Sequence, residues 1–241
     1  MSFSLLSSVG HNIDNQNKIG FVGETSLYYP FDTNAVDSNQ STTTPDAILQ
    51  GSLATINTSI KKWGVGSLYL AATSQVQQFN SWTSPYVKLP TFQVISGSGF
   101  SISLWMYPTA NANYTAVCEL SVDYTQTGSS NQILISMTPS DILQFYVFGA
   151  SGSNTSGFAV NMNQWNHVVW SISSTGTWTI YNNGSLVKTV TGAIPPTASH
   201  SINTIGVNVY GHNNYQGYID SFRVNNYSLT QAQVTTLYTS A

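Results

Sequence analysis

Charge is scarce in this sequence. Only 6% of its 241 residues are charged, compared with about 25% in typical soluble domains. The six Lys and Arg residues are scattered, so the chain offers no basic stripe for a nucleic-acid backbone, and we expect no nucleic-acid partner. Ser, Thr, Asn and Gln must therefore cover the surface. Such a surface hydrogen-bonds well and repels weakly, which suits sugars or dense packing beside other copies.

Cysteine and long apolar runs are also lacking. Cys118 is the only cysteine, which excludes an intrachain disulfide and a cysteine-based zinc site. We expect it to be a buried, small apolar residue. No apolar run is long enough to span a bilayer, and Met1–Ser8 lacks the cationic start and the long apolar core of a signal peptide. We therefore expect no membrane insertion and no secretion signal at this end.

Alternation of apolar and polar residues is the strongest pattern that is present, and it is clearest over residues 164–184. Two strand-like runs there flank Ser174–Gly176, with β-branched and aromatic residues repeating at period two. The Asn183-Gly184 pair supplies the positive φ of a tight turn, after which Ser185–Val190 continues as a third strand. We predict an antiparallel meander. Its core face is predicted to include Val168, Trp170, Ile172, Trp178 and Ile180.

The remaining chain shows similar short runs, about a dozen strands in total with almost no helix. This pattern predicts one all-β domain, a sandwich or jelly roll of two antiparallel sheets. Thr230 is predicted to cap a short helix, Gln231–Tyr238, that docks on the sandwich. Residues 33–62 and 151–156 are polar and are predicted to be loops.

Residues 1–22 are polar with two small apolar clusters, and they precede the strand pattern. We interpret them as an N-terminal arm and residues 23–241 as the domain. The apolar side chains of the arm would anchor it to the sandwich or to a neighbouring molecule.

Five segments in the right order, the last with a helical segment after it, resemble the laminin-G-like group of concanavalin A-like domains. The best match is W-x-H-V, followed by a short Gly loop and W-x-x-Y-x-N-G. The resemblance implies a concanavalin A-like jelly-roll β-sandwich with a short C-terminal helix, but not one function, because one fold hosts many. The matching segments are Tyr29–Asp32, Gly66–Leu70, Phe100–Pro108, Gln164–Gly184, Gly217–Val224 and Leu229–Tyr238.

Glycoside hydrolases share this fold, and they resemble one another in an E-x-D-x-E strand motif that this chain lacks. Glu24 and Glu119 are its only glutamates, whereas retaining hydrolysis needs two carboxyl groups close together. Glu119 and Asp123 are four residues apart, too far for the motif, and we interpret both as polar residues at the end of a strand. No G-x-S-x-G nucleophile motif is present, and His167 is expected to be structural. We therefore expect no enzyme activity.

Concanavalin A-like domains often carry a structural calcium ion, and the resemblance implies a position for it. Asp220 matches the carboxylate of the closing strand, and Asp32 follows the matching first strand. Calcium takes six to eight oxygen ligands, so carbonyl groups and water would have to complete the site. The alternative is that Asp220 hydrogen-bonds a neighbouring loop, with Arg223 as a partner.

Sugar binding is predicted from aromatic residues that lie beside hydrogen-bonding side chains. In Phe100–Pro108, alternation places Ile102, Leu104 and Met106 on the core side and the aromatic residues on the other. We expect one sheet face to be polar and aromatic, although Trp105 could instead pack under a loop. The predicted glycan-binding residues are Trp105, Tyr107, Gln144, Tyr146, Tyr210, His212 and Tyr215.

We therefore hypothesise a non-catalytic structural or adhesion module. It would be a component of a larger assembly such as a virion surface, as a minor capsid or decoration protein, where it contacts other copies or other proteins and binds cell-surface glycans. One alternative is an extracellular, soluble, lectin-like carbohydrate-binding protein. The other is a glycoside hydrolase of the same fold.

Overall fold

Strands make up almost all of the regular structure in the computed structural model. The model describes residues 26–35, 46–71, 85–111, 114–123, 131–148, 153–209, 211 and 214–240. Within these ranges the strands pair antiparallel throughout. The predicted sandwich of two antiparallel sheets with one short C-terminal helix is confirmed.

Eight strands form the first sheet, in the order β14-β13-β12-β7-β17-β4-β3, with β1 also paired to β17. These strands are β1 (Ser26–Tyr29), β3 (Ala54–Asn57), β4 (Ser67–Leu70), β7 (Phe100–Ala110), β12 (Asn166–Ile172), β13 (Thr177–Asn182), β14 (Ser185–Thr191) and β17 (Gln216–Asn225).

Seven strands form the second sheet, in the order β11-β10-β9-β8-β16-β5-β2. They are β2 (Ile48–Gln50), β5 (Tyr86–Leu89), β8 (Thr115–Ser121), β9 (Ile133–Met137), β10 (Ile142–Val147), β11 (Ser153–Ala159) and β16 (Ile202–Ile205). A separate pair consists of β6 (Phe92–Val94) and β15 (Ala198–His200).

The predicted meander is confirmed as β12, β13 and β14, and its predicted core face is fully buried. Trp170 and Trp178 meet edge to face, with ring centroids 4.9 Å apart. Phe145 of the seven-stranded sheet packs on Trp170 at 5.4 Å, which joins the two sheets through the core. Cys118 is free and buried in the same core, as predicted. All five predicted core residues of the meander are 0% exposed.

The turn between β13 and β14 uses the backbone conformation that the sequence predicts. Asn183 has φ 50° and Gly184 has φ 79°, so both central residues are left-handed, as a tight hairpin turn requires. The Asn183 side chain also accepts a hydrogen bond from the backbone N–H of His167 at 2.9 Å. This bond ties the turn to the start of β12.

The C-terminal helix α1 (Gln231–Thr239) begins at Thr230, as predicted. Thr230 and Gln233 form a reciprocal capping box, which satisfies backbone N–H groups of the first turn. Val234 and Leu237 are buried. They pack with Val169 and Tyr181 on the outer face of the eight-stranded sheet. The helix therefore covers part of a face that would otherwise meet solvent.

Two predicted loops contain strands, and those predictions were wrong. Strands β2 and β3 lie inside the predicted loop 33–62, and β11 occupies most of the predicted loop 151–156. All three are at the edges of sheets. A strand at the edge of a sheet pairs with one neighbouring strand only and can carry polar residues on both faces. Such a strand does not show the alternation of apolar and polar residues by which strands are recognised in a sequence. The predicted arm, residues 1–22, lies outside the described residues.

Candidate functional site

The outer face of the eight-stranded sheet is organised by a kink in β17. The register between β17 and β7 shifts between Asp220 and Arg223, and Ser221 adopts φ 50°. Before the kink, residues 217–219 pair with β4. After it, the strand pairs with β1. Asp220 therefore lies at the point where the pairing partner of β17 changes from β4 to β1.

Asp220 and Asp32 both hold the loop of residues 60–66. Asp220 Oδ2 accepts hydrogen bonds from the backbone N–H groups of Lys62 at 2.9 Å and Trp63 at 3.0 Å. Asp32 Oδ1 accepts from the N–H groups of Val65 at 2.6 Å and Gly66 at 3.3 Å. We name this pair of carboxylates and their loop the carboxylate clamp.

Glycine is required where the loop meets Asp32. A Cβ atom on Gly64, whose φ is +57°, would stand 1.9 Å from Asp32 Oδ1, and one on Gly66 would stand 2.2 Å from the Asp32 carbonyl oxygen. Any side chain at these positions would push the loop off the carboxylate. Glycine at both positions therefore allows the loop to lie this close to Asp32.

The clamp fits backbone N–H donors better than it fits calcium. Burial raises the pKa of Asp220 to about 6, opposed by the N–H groups of Trp63 and Lys62, and Asp32 raises it further. Three of the four carboxylate oxygens accept N–H or O–H hydrogen bonds, whereas calcium needs six to eight oxygens turned towards the ion. Among the described residues, no group of three or more potential metal ligands occurs. The geometry favours the predicted alternative, in which Asp220 holds a neighbouring loop.

Trp105 is buried, so its ring is not available to stack on a sugar. It is 2% exposed. Tyr238 of the helix stacks on it at 5.5 Å, and Lys62 Nζ from the clamp lies 4.1 Å from the ring centroid. The alternation of β7 is as predicted, because Ile102, Leu104 and Met106 are 0% exposed. The expectation of an open face at Trp105 is corrected, because the helix and the clamp loop cover it.

His167 lies beside Trp105 on β12, at 4.9 Å between rings, and is 1% exposed. Burial lowers its pKa to about 3, with further lowering by the charges of Lys62 and Arg223. Its ring is therefore neutral at ordinary pH. Ser103 Oγ lies 3.4 Å from Nε2, and the rings of Trp105 and Tyr238 pack against the imidazole at 4.9 and 5.8 Å. This environment supports the structural role expected for His167.

A row of aromatic side chains lies on the same outer face, beyond the helix. Tyr218 is the register partner of both Tyr69 and Tyr107. Trp165 extends the row on the segment just before β12, where Asn166 pairs with Met106. Tyr69 and Tyr218 stack at 4.6 Å, Tyr107 meets Tyr218 edge to face at 5.7 Å, and Trp165 meets Tyr107 at 5.6 Å. We name these four residues the aromatic row.

Three of the four side chains of the row are partly exposed to solvent, and its three tyrosines carry hydroxyl groups. Tyr69, Tyr107 and Trp165 are of intermediate exposure, and Tyr218 is 9% exposed. Burial raises the pKa of Tyr218, and its two tyrosine neighbours raise it further. The phenols of Tyr69 and Tyr107 therefore lie close to that of Tyr218, whose uncharged form is favoured. Aromatic rings beside neutral hydroxyl groups can stack on the apolar face of a sugar and hydrogen-bond its hydroxyls.

Sequence reasoning found only Tyr107 of this row. Tyr69, Trp165 and Tyr218 all occur within the segments that carry the family resemblance. Period-two alternation assigns Tyr69 and Tyr218 to the outward faces of their strands, whereas Trp165 lies just before β12. The signal that was missing is the pairing of β4, β17 and β7, which alone places the rings side by side.

Gln144 and Tyr146 lie on the other side of the molecule. They belong to β10 in the seven-stranded sheet, whereas Trp105 and Tyr107 belong to the eight-stranded sheet. The expectation that these residues share one polar, aromatic sheet face is therefore wrong. The Tyr146 hydroxyl donates to Gln144 Oε1, and both side chains are partly exposed.

The third predicted group of glycan-binding residues comprises Tyr210, His212 and Tyr215, of which the structure describes Tyr215. Tyr215 is 0% exposed, and its hydroxyl donates to the carbonyl of Tyr218 at 3.2 Å. Its predicted role in glycan binding is therefore corrected to a core residue. Tyr210 and His212 lie outside the described residues.

Glu119 lies within β8 and is 2% exposed, so the interpretation as a residue at the strand end was wrong. Its Oε2 accepts a hydrogen bond from the backbone N–H of Val209 at 3.0 Å. Burial raises its pKa to about 8, opposed by the Val209 hydrogen bond. Asp123 lies beyond the end of β8.

Comparison with solved structures supports the fold. Domain 4 of the extracellular arabinanase AbnA from Geobacillus stearothermophilus, solved with arabinotriose, has a TM-score of 0.66 at 21% identity, over 88% of this chain and 97% of that domain. The botulinum neurotoxin serotype G binding domain has a TM-score of 0.62 at 16% identity, over 88% of this chain. This chain spans 50% of that toxin domain.

Two further observations bear on the assignment. None of the described helices is long and apolar enough to cross a membrane, and no curated protein matches the sequence. The family model of the concanavalin A-like lectin/glucanases superfamily matches residues 79–235, more than half of the chain. The chain therefore belongs to the laminin-G-like family of this superfamily.

Proposed function

We propose that this protein is a non-catalytic carbohydrate-binding module and that the aromatic row is its sugar-contacting surface. The observation that carries the proposal is the side-by-side placement of Tyr69, Tyr107, Trp165 and Tyr218 on one outer face. Such a surface offers ring faces and hydroxyl groups without formal charge. That combination matches the mixed apolar and polar character of a sugar.

The length of the row favours an oligosaccharide over a single sugar. Successive ring centroids are separated by 4.6, 5.7 and 5.6 Å. The row therefore offers contacts to several consecutive units.

The ligand class is a neutral glycan. Lys62 and Arg223 are cations of this face. The Lys62 ammonium group lies over the rings of Trp105 at 4.1 Å and Trp63 at 5.1 Å. The Arg223 guanidinium group lies 3.3 Å from the centroid of the Tyr28 ring and is 7% exposed, and the row itself contains no arginine or lysine to pair with an acidic sugar. The arabinotriose complex of the similar arabinanase domain makes arabino-oligosaccharides the first ligands to test.

Binding is tested with arabinotriose, xylotriose and cellotriose by isothermal titration calorimetry. At least one should bind, and Tyr107→Ala and Trp165→Ala should each weaken it by about tenfold or more, equivalent to about 1.4 kcal/mol. Tyr107→Phe separates the hydroxyl contribution from that of the ring. Leu186→Ala is the matched control, because Leu186 is 51% exposed on β14 of the same sheet and lies outside the aromatic row. This variant should bind the oligosaccharide as tightly as the unchanged protein does. Binding unaffected by both alanine variants would overturn the assignment of the row.

The absence of catalysis is a separate part of the proposal. A protein that binds but does not hydrolyse should release no reducing sugar from linear arabinan or mixed-linkage β-glucan. Glu119→Gln is the informative variant, because Glu119 is the glutamate that lies within the residues described by the structure. Release of reducing sugar that disappears in this variant would make the protein a hydrolase.

A role in a larger assembly, such as a virion surface, is the second candidate. It is supported by the low charge of the chain, 6%, and by exposed apolar side chains at the lateral edges of the sandwich. Ile48 and Leu53 are 54% and 41% exposed near β2 and β3, and Leu186 and Val187 are 51% and 45% exposed on β14. Such edges would suit contacts with other copies or other proteins. Cell-surface glycans would then be the targets of the aromatic row, and an extracellular lectin-like protein is the alternative setting.

A further inference from the structure

Exposed aromatic side chains also occur on the outer face of the seven-stranded sheet. Tyr146 and Phe148 stack with ring centroids 5.2 Å apart and an angle of 4° between their planes. Phe148 is 37% exposed and Tyr114 is 51% exposed. These two are the aromatic residues among the large hydrophobic side chains that are exposed in the described ranges. Tyr114 immediately precedes β8, whose Ala116 pairs with Ser136, and Ser136 is in turn the register partner of Gln144.

Hydrogen-bonding groups surround these rings. The Tyr146 hydroxyl donates to Gln144 Oε1, so the side-chain amide of Gln144 lies beside the Tyr146 hydroxyl. Asn154 and Ser156 lie directly across the strand pair from Tyr146 and Gln144, and both are exposed. Side chains directly opposite in an antiparallel pair share one face. The rings are therefore framed by amides and a hydroxyl.

The charge of this surface points to a neutral ligand. Tyr114, Gln144, Tyr146 and Phe148 carry no formal charge, and neither do Asn154 and Ser156. Lys188 reaches this edge of the sandwich, but its ammonium group donates to the Ser156 carbonyl at 2.8 Å. The six side chains that form this surface include no cation to pair with an anionic ligand. Aromatic rings with neutral donors and acceptors suit a glycan better than a charged peptide or a phosphate.

We propose that Tyr114, Gln144, Tyr146 and Phe148 form a second binding site for a neutral glycan, so that one molecule holds two glycan chains. We name these four residues the Tyr146 site. The inference rests on the proposed function for the class of ligand. It does not depend on the aromatic row, since the two sites share no residue and no strand.

The two sites face in opposite directions. The aromatic row lies on the outer face of the eight-stranded sheet, and the Tyr146 site lies on the outer face of the seven-stranded sheet. Packed sheets are about 10 Å apart, and the whole core lies between the two sites. A short oligosaccharide cannot reach around the sandwich to contact both. A molecule with both sites would therefore cross-link separate chains, and binding to a polymer would gain from avidity, by about 10²–10⁴ in favourable geometry.

Stoichiometry distinguishes one site from two. Calorimetric titration uses arabinotriose, xylotriose and cellotriose, with Tyr107→Ala for the aromatic row and Phe148→Ala and Tyr114→Ala for the Tyr146 site. The unchanged protein should bind two oligosaccharides per chain, each variant should bind one, and Tyr107→Ala combined with Phe148→Ala should bind none. Gln144→Leu is a second variant of the Tyr146 site that keeps the rings. Equal melting temperatures of variants and unchanged protein show that the sandwich is intact.

Cross-linking gives an independent readout. The unchanged protein should make solutions of linear arabinan, xylan or mixed-linkage β-glucan turbid, with a maximum at intermediate protein concentration. Either single-site variant should abolish the turbidity while still binding the polymer. Sedimentation velocity is run on the same samples without sugar, to determine whether the chain is a monomer.

Each result has a defined meaning. One oligosaccharide per chain, lost in Tyr107→Ala and kept in Phe148→Ala, would overturn the Tyr146 site and leave the proposed function intact. The reverse pattern would keep the Tyr146 site and overturn the role of the aromatic row. A dimer that dissociates in Tyr114→Ala would make this surface a contact between copies and overturn the inference. Absence of binding to every sugar of the panel would overturn the inference and the proposed function together.

Discussion

Replacing Glu119 by Gln should make the protein more stable at alkaline pH. Glu119 is 2% exposed, and burial raises its pKa from 4.5 to about 8. The folded protein therefore prefers the protonated acid. An acid whose pKa is higher in the folded state adds stability that is complete below about pH 4.5 and is lost as the pH rises towards about 8.

The size of the effect follows from the two pKa values. Their difference of roughly 3.5 corresponds to about 5 kcal/mol at about 1.36 kcal/mol per pH unit. This is comparable with the whole stability of a small domain, about 5–15 kcal/mol. It is an upper limit, because the segment around Val209 that covers Glu119 can open locally at lower cost. Gln has nearly the same shape and can still accept the Val209 N–H, but it does not ionise.

Urea unfolding followed by tryptophan fluorescence measures the effect. The free energy of unfolding of Glu119→Gln should exceed that of the unchanged protein by a margin that grows between about pH 5 and pH 8 and then levels off. The control is Asp220→Asn. The pKa of Asp220 is raised from 3.8 to about 6, so the difference between this variant and the unchanged protein should change with pH only in the acid range and stay constant above about pH 6. If the curves of Glu119→Gln and the unchanged protein are parallel up to pH 9, Glu119 is not buried as described.

Three further predictions concern the core, the clamp and the arm. Trp170→Ala should lower the free energy of unfolding by about 3–5 kcal/mol, because Trp170 is 0% exposed; a urea-measured loss below about 1 kcal/mol would place it at the surface. Asp220→Ala should lower the melting temperature, because the N–H groups of Lys62 and Trp63 lose their acceptor, and millimolar calcium should leave the melting temperature of the unchanged protein constant. A calcium-dependent rise that vanishes in Asp220→Ala would instead make Asp220 a ligand. If the arm serves a larger assembly, deleting residues 2–20 should leave a domain that is folded by circular dichroism but is not incorporated into that assembly; normal incorporation would contradict an assembly role for the arm.

The burial of the meander illustrates what a single sequence can reveal. Alternate side chains of a strand point to opposite faces, so the pattern around Trp170 and Trp178 specifies the inward face without knowledge of the partners. The Asn183-Gly184 turn adds the register of the hairpin, because both residues tolerate positive φ. Local backbone geometry alone determines these features.

Trp105 shows where this reasoning stops. Its position on the outward face of β7 follows from alternation, and the structure agrees. Its burial does not follow, because Tyr238 and Lys62 come from segments more than 130 residues after it and about 40 residues before it in the chain. Alternation says which side of a sheet a residue occupies. It does not say whether another element covers that side.

The placement of Tyr107 and Tyr146 is the second such case. Both alternate outward on their strands, and the sequence treats them alike. Strand order assigns β7 to one sheet and β10 to the other, which separates the two tyrosines by the whole core. Conversely, the same strand order brings Tyr69, Tyr107 and Tyr218 from three distant segments into one row.

The sequence by itself determined the all-β class, the inward faces of the strands, the capped C-terminal helix and the family. Each of these depends on residues close together in the chain or on the order of short motifs. Only the tertiary structure decided that the clamp holds the loop of residues 60–66 with Asp32 and Asp220, that Trp105 is covered, and that aromatic residues form two separate surfaces. These features depend on contacts between strands that are distant in sequence, and the pairing of such strands is a property of the whole sheet.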